Sequence, residues 1–154
     1  TAIPDWIHTD PIKFQQLLTD RNREMQGVFI PLIKMIKAWN RQNHKLLASF
    51  HLECMLLASC SRITQAYTYN SLIRHFFDEL PTRIHNPVYD PVTRSRVDNY
   101  LGNSGWGSRR DRAFALAVET KKLAASAEQY VYSDETTCIE LWKEILGDFF
   151  PNYG

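Results

Sequence analysis

Pro31-Leu-Ile-Lys-Met-Ile-Lys-Ala-Trp-Asn-Arg41, followed by Leu46-Leu-Ala-Ser-Phe-His-Leu-Glu-Cys-Met-Leu-Leu57, decides the fold. The two runs read as a pair of helices joined by a short polar turn, Gln42 to Lys45. In the first helix Lys34, Lys37 and Arg41 stand at i, i+3 and i+7, which puts three cations on one face. Phe29, Leu32, Ile33 and Ile36 recur at helical spacing on the other side, so that side is core. The second helix, from about Phe50 to Cys60, is apolar nearly all round and is expected to be central and buried. Ser49 stands where a helix N-cap would. A helix start offers unpaired N–H groups and a positive dipole end, both suited to an anion. Three cations beside such a start make a candidate phosphate cradle.

These two runs resemble the helical half of nucleotidyltransferases of the oligoadenylate synthase and cyclic GMP-AMP synthase type, and most nearly their bacterial cGAS/DncV-like relatives. The resemblance implies a role for particular residues. The second Lys of the Lys-x-x-Lys pair, Lys37, would reach a triphosphate. Ser49 would contact phosphate and Phe50 would stack on a base. Family members often carry Tyr at that place, so Phe50 keeps the stacking and loses a hydroxyl contact. Lys34, Lys37, Arg41, Ser49 and Phe50 are thus the candidate nucleotide-binding set. For Phe50 core packing is the competing reading, and for the three cations a solvated helix face.

Bulk properties bound the rest. A chain of 154 residues is one domain on the usual expectation, residues 1–154 throughout. Eighteen Lys and Arg nearly balance 17 Asp and Glu, for a net charge of +1. A nucleic-acid partner is therefore not favoured, although local basic faces leave room for one. Three cysteines, Cys54, Cys60 and Cys138, make an odd count. Cys54 and Cys60 point different ways on one helix and should not pair, which fits a reduced, cytoplasmic protein. No apolar run approaches the roughly 20 residues that span a bilayer. The chain starts at Thr1 without Met, which suggests a fragment or a processed chain.

In order along the chain, residues 1–11 read as an extended lead-in; in the family a similar segment links the catalytic sheet to the helical half. Asp10-Pro11 caps and starts a helix to about Met25, with Phe14, Leu17 and Leu18 inward. Gly27 breaks it. Ser61 to Thr68 is polar and indeterminate. Tyr69 to Leu80 is a helix with Leu72, Ile73, Phe76, Phe77 and Leu80 as its stripe, stopped by Pro81. Pro81 to Gly107 is one long irregular loop, and its prolines and Arg83, Arg94 and Arg96 leave little to bury. It is therefore expected to be the most mobile internal segment. Its Asn86-Pro-Val-Tyr-Asp-Pro-Val stretch resembles a family loop near the nucleotide cleft. Ser108 caps a long helix to about Tyr132, with Ala113, Ala117, Ala124 and Ala127 forming a small, close-packing side. Arg109, Arg110 and Arg112 crowd its first turn, unfavourably for the dipole unless a carboxylate or another anion neutralises them. Ser133-Asp-Glu starts a last helix with Trp142, Ile145 and Leu146 inward, ended by Gly147 and Pro151. The expected fold is all-α, a compact helical domain of about six helices with one long irregular loop.

Some of the family's chemistry is absent from this stretch. Nucleotidyl transfer uses two magnesium or manganese ions held by three carboxylates on a sheet. The family's Gly-Ser motif and following acidic pair have no match here; Gly107-Ser108 is followed by Arg-Arg-Asp. The resemblance thus implies the helical, C-terminal half of an enzyme that joins nucleoside triphosphates into cyclic or linear oligonucleotide second messengers, in bacteria for anti-phage signalling. The metal would belong to an N-terminal catalytic domain, and this chain alone would not catalyse transfer. Two other readings stay open. One is part of a CCA-adding or RNA-tailing nucleotidyltransferase, which calls for a broader basic surface. The other is a stand-alone helical binding module. His8, His44, His75 and His85 show no ligand spacing, and His51 beside Glu53 reads as satisfying local backbone groups before it reads as metal or acid–base chemistry.

Overall fold

A computed structural model describes residues 10–61 and 68–147. The expected lead-in before Asp10, most of the polar stretch before Thr68, and the Phe-Pro ending lie outside the described residues. Six helices follow in order: α1 (Pro11–Glu24), α2 (Phe29–Gln42), α3 (Ser49–Ser59), α4 (Tyr69–His85), α5 (Arg109–Gln129) and α6 (Glu135–Leu146). Asn99–Leu101 adds a 3-10 turn. Among the described residues the extended pairing is limited to one antiparallel bridge, Tyr89 with Arg96. The fold is all-α.

Capping explains most helix starts. The Asp10 carboxylate accepts from the Lys13 amide at 3.1 Å, with Pro11 at the first helical position. The Ser108 hydroxyl accepts from the Asp111 amide, and Thr68 from Ser71. The last helix, starting in the expected Ser133-Asp-Glu, is capped by Asp134. Its other end needs a glycine. Gly147 sits at φ +65°, and a Cβ there would clash with the Gln42 amide oxygen. That same Gln42 side chain donates to the Glu144 carbonyl, tying α2 to the end of α6.

The core gathers on α3, whose His51, Leu52, Cys54, Met55, Leu56 and Leu57 are all buried. Phe29, Leu32, Ile36 and Trp39 of α2 and Phe76, Phe77 and Leu80 of α4 close over it. Trp39 meets Phe77 edge-on at 5.3 Å and donates its indole N–H to the Thr120 hydroxyl of α5. The small side of α5 is as the sequence predicts: Ala113, Ala117, Ala124 and Ala127 are fully buried. The helix ends at Gln129, three residues before the expected Tyr132.

Two expectations fail. Pro81 does not stop α4, which runs through it to His85. A proline inside a helix loses one backbone bond and strains the preceding turn. Tertiary contacts and local side-chain bonds together outweigh that cost. Ile84 is fully buried, its carbonyl accepts from the Arg110 guanidinium, the Thr82 carbonyl accepts from Asn86, and Arg83 grips Glu79 through two N–H groups. The loop after it is also not loose. Val88, Val97 and Leu101 are buried, and so are the carboxylates of Asp90 and Asp98. Asp90 folds residues 90–95 into a tight turn: its carboxylate takes the Val92 amide and the Thr93 hydroxyl, and its own amide donates to Ser95.

Asp98 is the centre of this loop. Its side chain is fully buried and accepts from the Val88 amide, from Arg96, and from Arg110 at 2.9 Å. Arg110 also donates to the carbonyls of Ile84, Asp98 and Gly102. Of the crowded arginines at the start of α5, Arg110 thus finds the carboxylate it needs and is buried, while Arg96 holds the same carboxylate from an exposed position. Burial pushes the Asp98 carboxyl upward, but hydrogen bonds from Arg96, the Val88 amide and Arg110 outweigh it and hold it well below the usual carboxylate range.

A depressed folded pKa contributes stability that is present above the unfolded value, about 3.9, and is lost as pH falls through the folded one. Asp98→Asn should therefore cost on the order of 3–5 kcal/mol at neutral pH, because it strands a buried Arg110. Thermal melts of both proteins between pH 7 and 3 check this: the gap should be widest at pH 7 and should narrow as the acid limit is approached. Native-state hydrogen exchange gives a second check, with the Asp90 and Val97 amides, bonded to Ser95 and Val88, expected to be protected.

Candidate nucleotide-binding turn between two helices

The turn between α2 and α3 is held from within by one side chain. Asn40 is buried; its amide N–H donates to the Leu47 carbonyl at 2.7 Å and its amide oxygen accepts from the Leu47 N–H at 3.1 Å. The Asn40 carbonyl takes the Lys45 N–H. His44 and Lys45 adopt left-handed backbone, φ 62° and 51°, and this reversal makes so short a connection possible. Gln42, expected in the turn, belongs to α2.

The same turn is held from outside by the loop and by α5. Tyr100 reaches in with its hydroxyl, which accepts from the Ala48 N–H at 2.9 Å and lies 2.7 Å from His51 Nδ1. Arg109 lies over the Tyr100 ring at 5.1 Å and donates to the Leu46 carbonyl at 2.8 Å. His51 is fully buried, and burial lowers its pKa to about 4, so it stays neutral at physiological pH. The other ring nitrogen, Nε2, is buried and has no hydrogen-bond partner among the described residues. His51 is thus a structural partner of Tyr100. Burial also raises the thiol pKa of Cys54 and Cys60, the latter to about 11. Both thiols are free.

The predicted site residues fall around this turn. Ser49 is not the N-cap: the helix starts on it, and Ala48 occupies the cap position with no side-chain bond to the first turn. Ala48 is extended there, so Ser49 already takes helical geometry and is exposed. Lys34 and Arg41 are exposed as well. Lys37 is not on an open face. Its ammonium pairs with Glu53 of α3, and its side chain is only 30% exposed against 14% for Glu53. Ile33, Ile36, Leu52 and Leu56 surround this pair. Since Ser49 and Glu53 are four apart on α3, they share one face. The pair therefore brings Lys37 to the face and about one turn from Ser49. Phe50 is partly buried, with its ring edge-on to Phe14 of α1 at 4.7 Å.

Asn40 and Tyr100 did not stand out in the sequence, and Glu53 did so only beside His51, not as the partner of Lys37. An Asn beside a Trp and a Tyr in an arginine-rich loop carry no motif. Only the chain's path shows what they touch. Among the described residues no group of three or more His, Cys, Asp and Glu side chains could hold a metal ion. No helix there is long and apolar enough to cross a membrane.

Comparisons with known proteins supply the context. No protein-family model matches the sequence. A probable cyclic nucleotide synthase of Bacillus cereus (strain VD146) is 28% identical over 164 aligned residues, spanning 98% of this chain and 46% of that protein. A cyclic AMP-AMP-AMP synthase of Acinetobacter sp. (strain ATCC 27244 / 9458) is 24% identical, spanning 97% of this chain and 45% of that protein. The chain thus spans a little under half the length of these relatives. Among solved structures, the Vibrio cholerae di-nucleotide cyclase DncV in complex with ATP, GTP and 5MTHFGLU2 superposes with a TM-score of 0.69 at 15% identity, covering 96% of this chain and 38% of that one. DncV with a linear pppA(3′,5′)pG intermediate gives the same score at 14% identity, covering 99% of this chain and 40% of the other. At that identity the superposition speaks for the fold. In sequence and in fold, the chain resembles the cGAS/DncV-like nucleotidyltransferases.

Proposed function

We propose that this chain is the helical half of a nucleotidyltransferase that joins nucleoside triphosphates into cyclic oligonucleotides, and that the turn between α2 and α3 holds the donor triphosphate. The observation that carries the reading is the arrangement at the start of α3. The helix opens on Ser49 with no side-chain cap, so no side chain takes its first N–H groups, which a helix start offers to anions. The cation of Lys37 is held on the same face by Glu53, and Arg41 is exposed at the end of α2 nearby. Phe50 would line the base side of the cleft with the ring face that Phe14 leaves free.

Alignment of nearly the whole chain with under half of each relative supports a partner domain elsewhere in the complete protein. That domain would supply the carboxylates and the magnesium or manganese ions. Two metals would stabilise the attacking and leaving oxygens of the transfer; the residues of this chain bind and orient. In a bacterium the product would act as a second messenger in anti-phage signalling. The near balance of charge favours this over an RNA-tailing enzyme.

Two measurements test the reading. Incubated alone with mixed triphosphates and magnesium or manganese, the 154-residue chain should leave them unconsumed; turnover well above a heat-killed control sinks the division of labour. In the complete protein, Lys37→Ala should remove one charge-assisted contact, on the order of 1.5–3 kcal/mol. That is roughly a ten- to hundredfold loss in triphosphate affinity or turnover. Lys34→Ala, one turn farther from Ser49, should cost less. Near-wild-type kinetics for Lys37→Ala would show the cradle assignment to be wrong. Because the variant also strands Glu53, melting curves must accompany the kinetics, so that activity is compared between fully folded proteins.

A further inference from the structure

We infer that Glu53 is a positioning residue for nucleotide binding: it fixes the Lys37 ammonium at the mouth of the α2–α3 seam. This rests on the reading of Lys37 given above and adds a residue to it. A lysine has four rotatable bonds and loses much side-chain freedom when its ammonium is held at one point. Here that loss is already met in the folded protein. Lys37 and Glu53 line one small crevice of the α2–α3 seam together with Ile33, Ile36, Leu52 and Leu56, and the Lys37 ammonium is anchored on one Glu53 oxygen. Among the described residues no other cation lies within ion-pair distance of Glu53.

Three details separate positioning from simple packing. First, the ammonium has three N–H donors, and a single carboxylate oxygen occupies one, so two remain for phosphate oxygens. Second, the exposures are unequal. Glu53 is the more deeply set partner at 14%, and Lys37 the outer one at 30%. The carboxylate thus lies behind the cation, where it anchors the ammonium and stands farther from an incoming anion. Third, Glu53 shares its helix face with Ser49. A ligand at the helix start therefore meets Lys37 in a set place, which lowers the ordering cost of binding.

The test compares Glu53→Gln, Lys37→Ala and the double variant in the complete protein, by steady-state kinetics in each triphosphate with melting curves alongside. Glu53→Gln keeps the side chain's shape and removes its charge. It should raise the triphosphate KM roughly tenfold, the size of one lost charged contact. The value of kcat at saturation should be nearly unchanged, and Glu53→Asp should recover part of the loss. In the Lys37→Ala background Glu53→Gln should add nothing further to KM, since the residue to be positioned is gone. A Glu53→Gln variant with unchanged or improved KM, while Lys37→Ala is impaired, overturns the positioning role and leaves the Lys37 reading standing. A loss in kcat and melting temperature without a change in KM overturns it too, and makes the pair structural. An unaffected Lys37→Ala overturns both readings at once.

Discussion

The Asp98 carboxylate and the Arg110 guanidinium form the interaction that the rest of the structure depends on. Neither would be stable in the interior alone, since an isolated buried charge is very costly. Together, with Arg96 and the Val88 amide completing the hydrogen bonds, they turn a stretch of prolines, glycines and charges into an ordered part of the fold. Arg110 also satisfies carbonyls at the end of α4 and in the loop. One side chain thus sets where α4 stops, how the loop returns and where α5 begins.

That network reaches the candidate site through its neighbours in the chain. Tyr100 lies two residues after Asp98, and Arg109 one before Arg110. Both bond to backbone groups of the α2–α3 turn. With Asn40 bracing the same turn from inside, the start of α3 is held on two sides. Under the phosphate-binding role proposed above, such rigidity would help, because the N–H groups of the helix start would need no reordering when a ligand arrives. The loop serves here as a buttress, and Arg96, one of the charged residues that made it look mobile, helps to fix it.

The basic residues divide accordingly. Arg96 and Arg110 neutralise Asp98, Arg109 serves backbone carbonyls, and Lys37 is matched to Glu53. Lys34, Arg41, Arg94 and Arg112 remain exposed. Near neutrality of the whole chain hides this sorting. A net charge says little about a local cradle, which depends on which cations are already committed to partners within the fold.

Much of the architecture was legible in the sequence alone. The 3.6-residue period of apolar side chains marks α1, α2, α4 and α6, all-round apolarity marks α3 as central, and the alanines of α5 announce a close-packed side. Asp10, Ser108 and Gly147 punctuate the helices as local chemistry requires, because caps and turns depend on a few adjacent residues. The Lys-x-x-Lys and Ser-Phe-His-Leu-Glu segments were legible too, and with them the neighbourhood of the candidate site. What tertiary structure decided was the fate of groups whose partners are distant in sequence. Pro81 continues a helix because Arg110, 29 residues on, donates to the Ile84 carbonyl. Asp98 and Asp90 are buried because the loop folds onto them, and Lys37 is tethered because α3 presents Glu53 to it. Local propensity is short-ranged, whereas a buried charge or an interior proline is settled by whatever the fold carries up to it, and one-dimensional spacing does not contain that information.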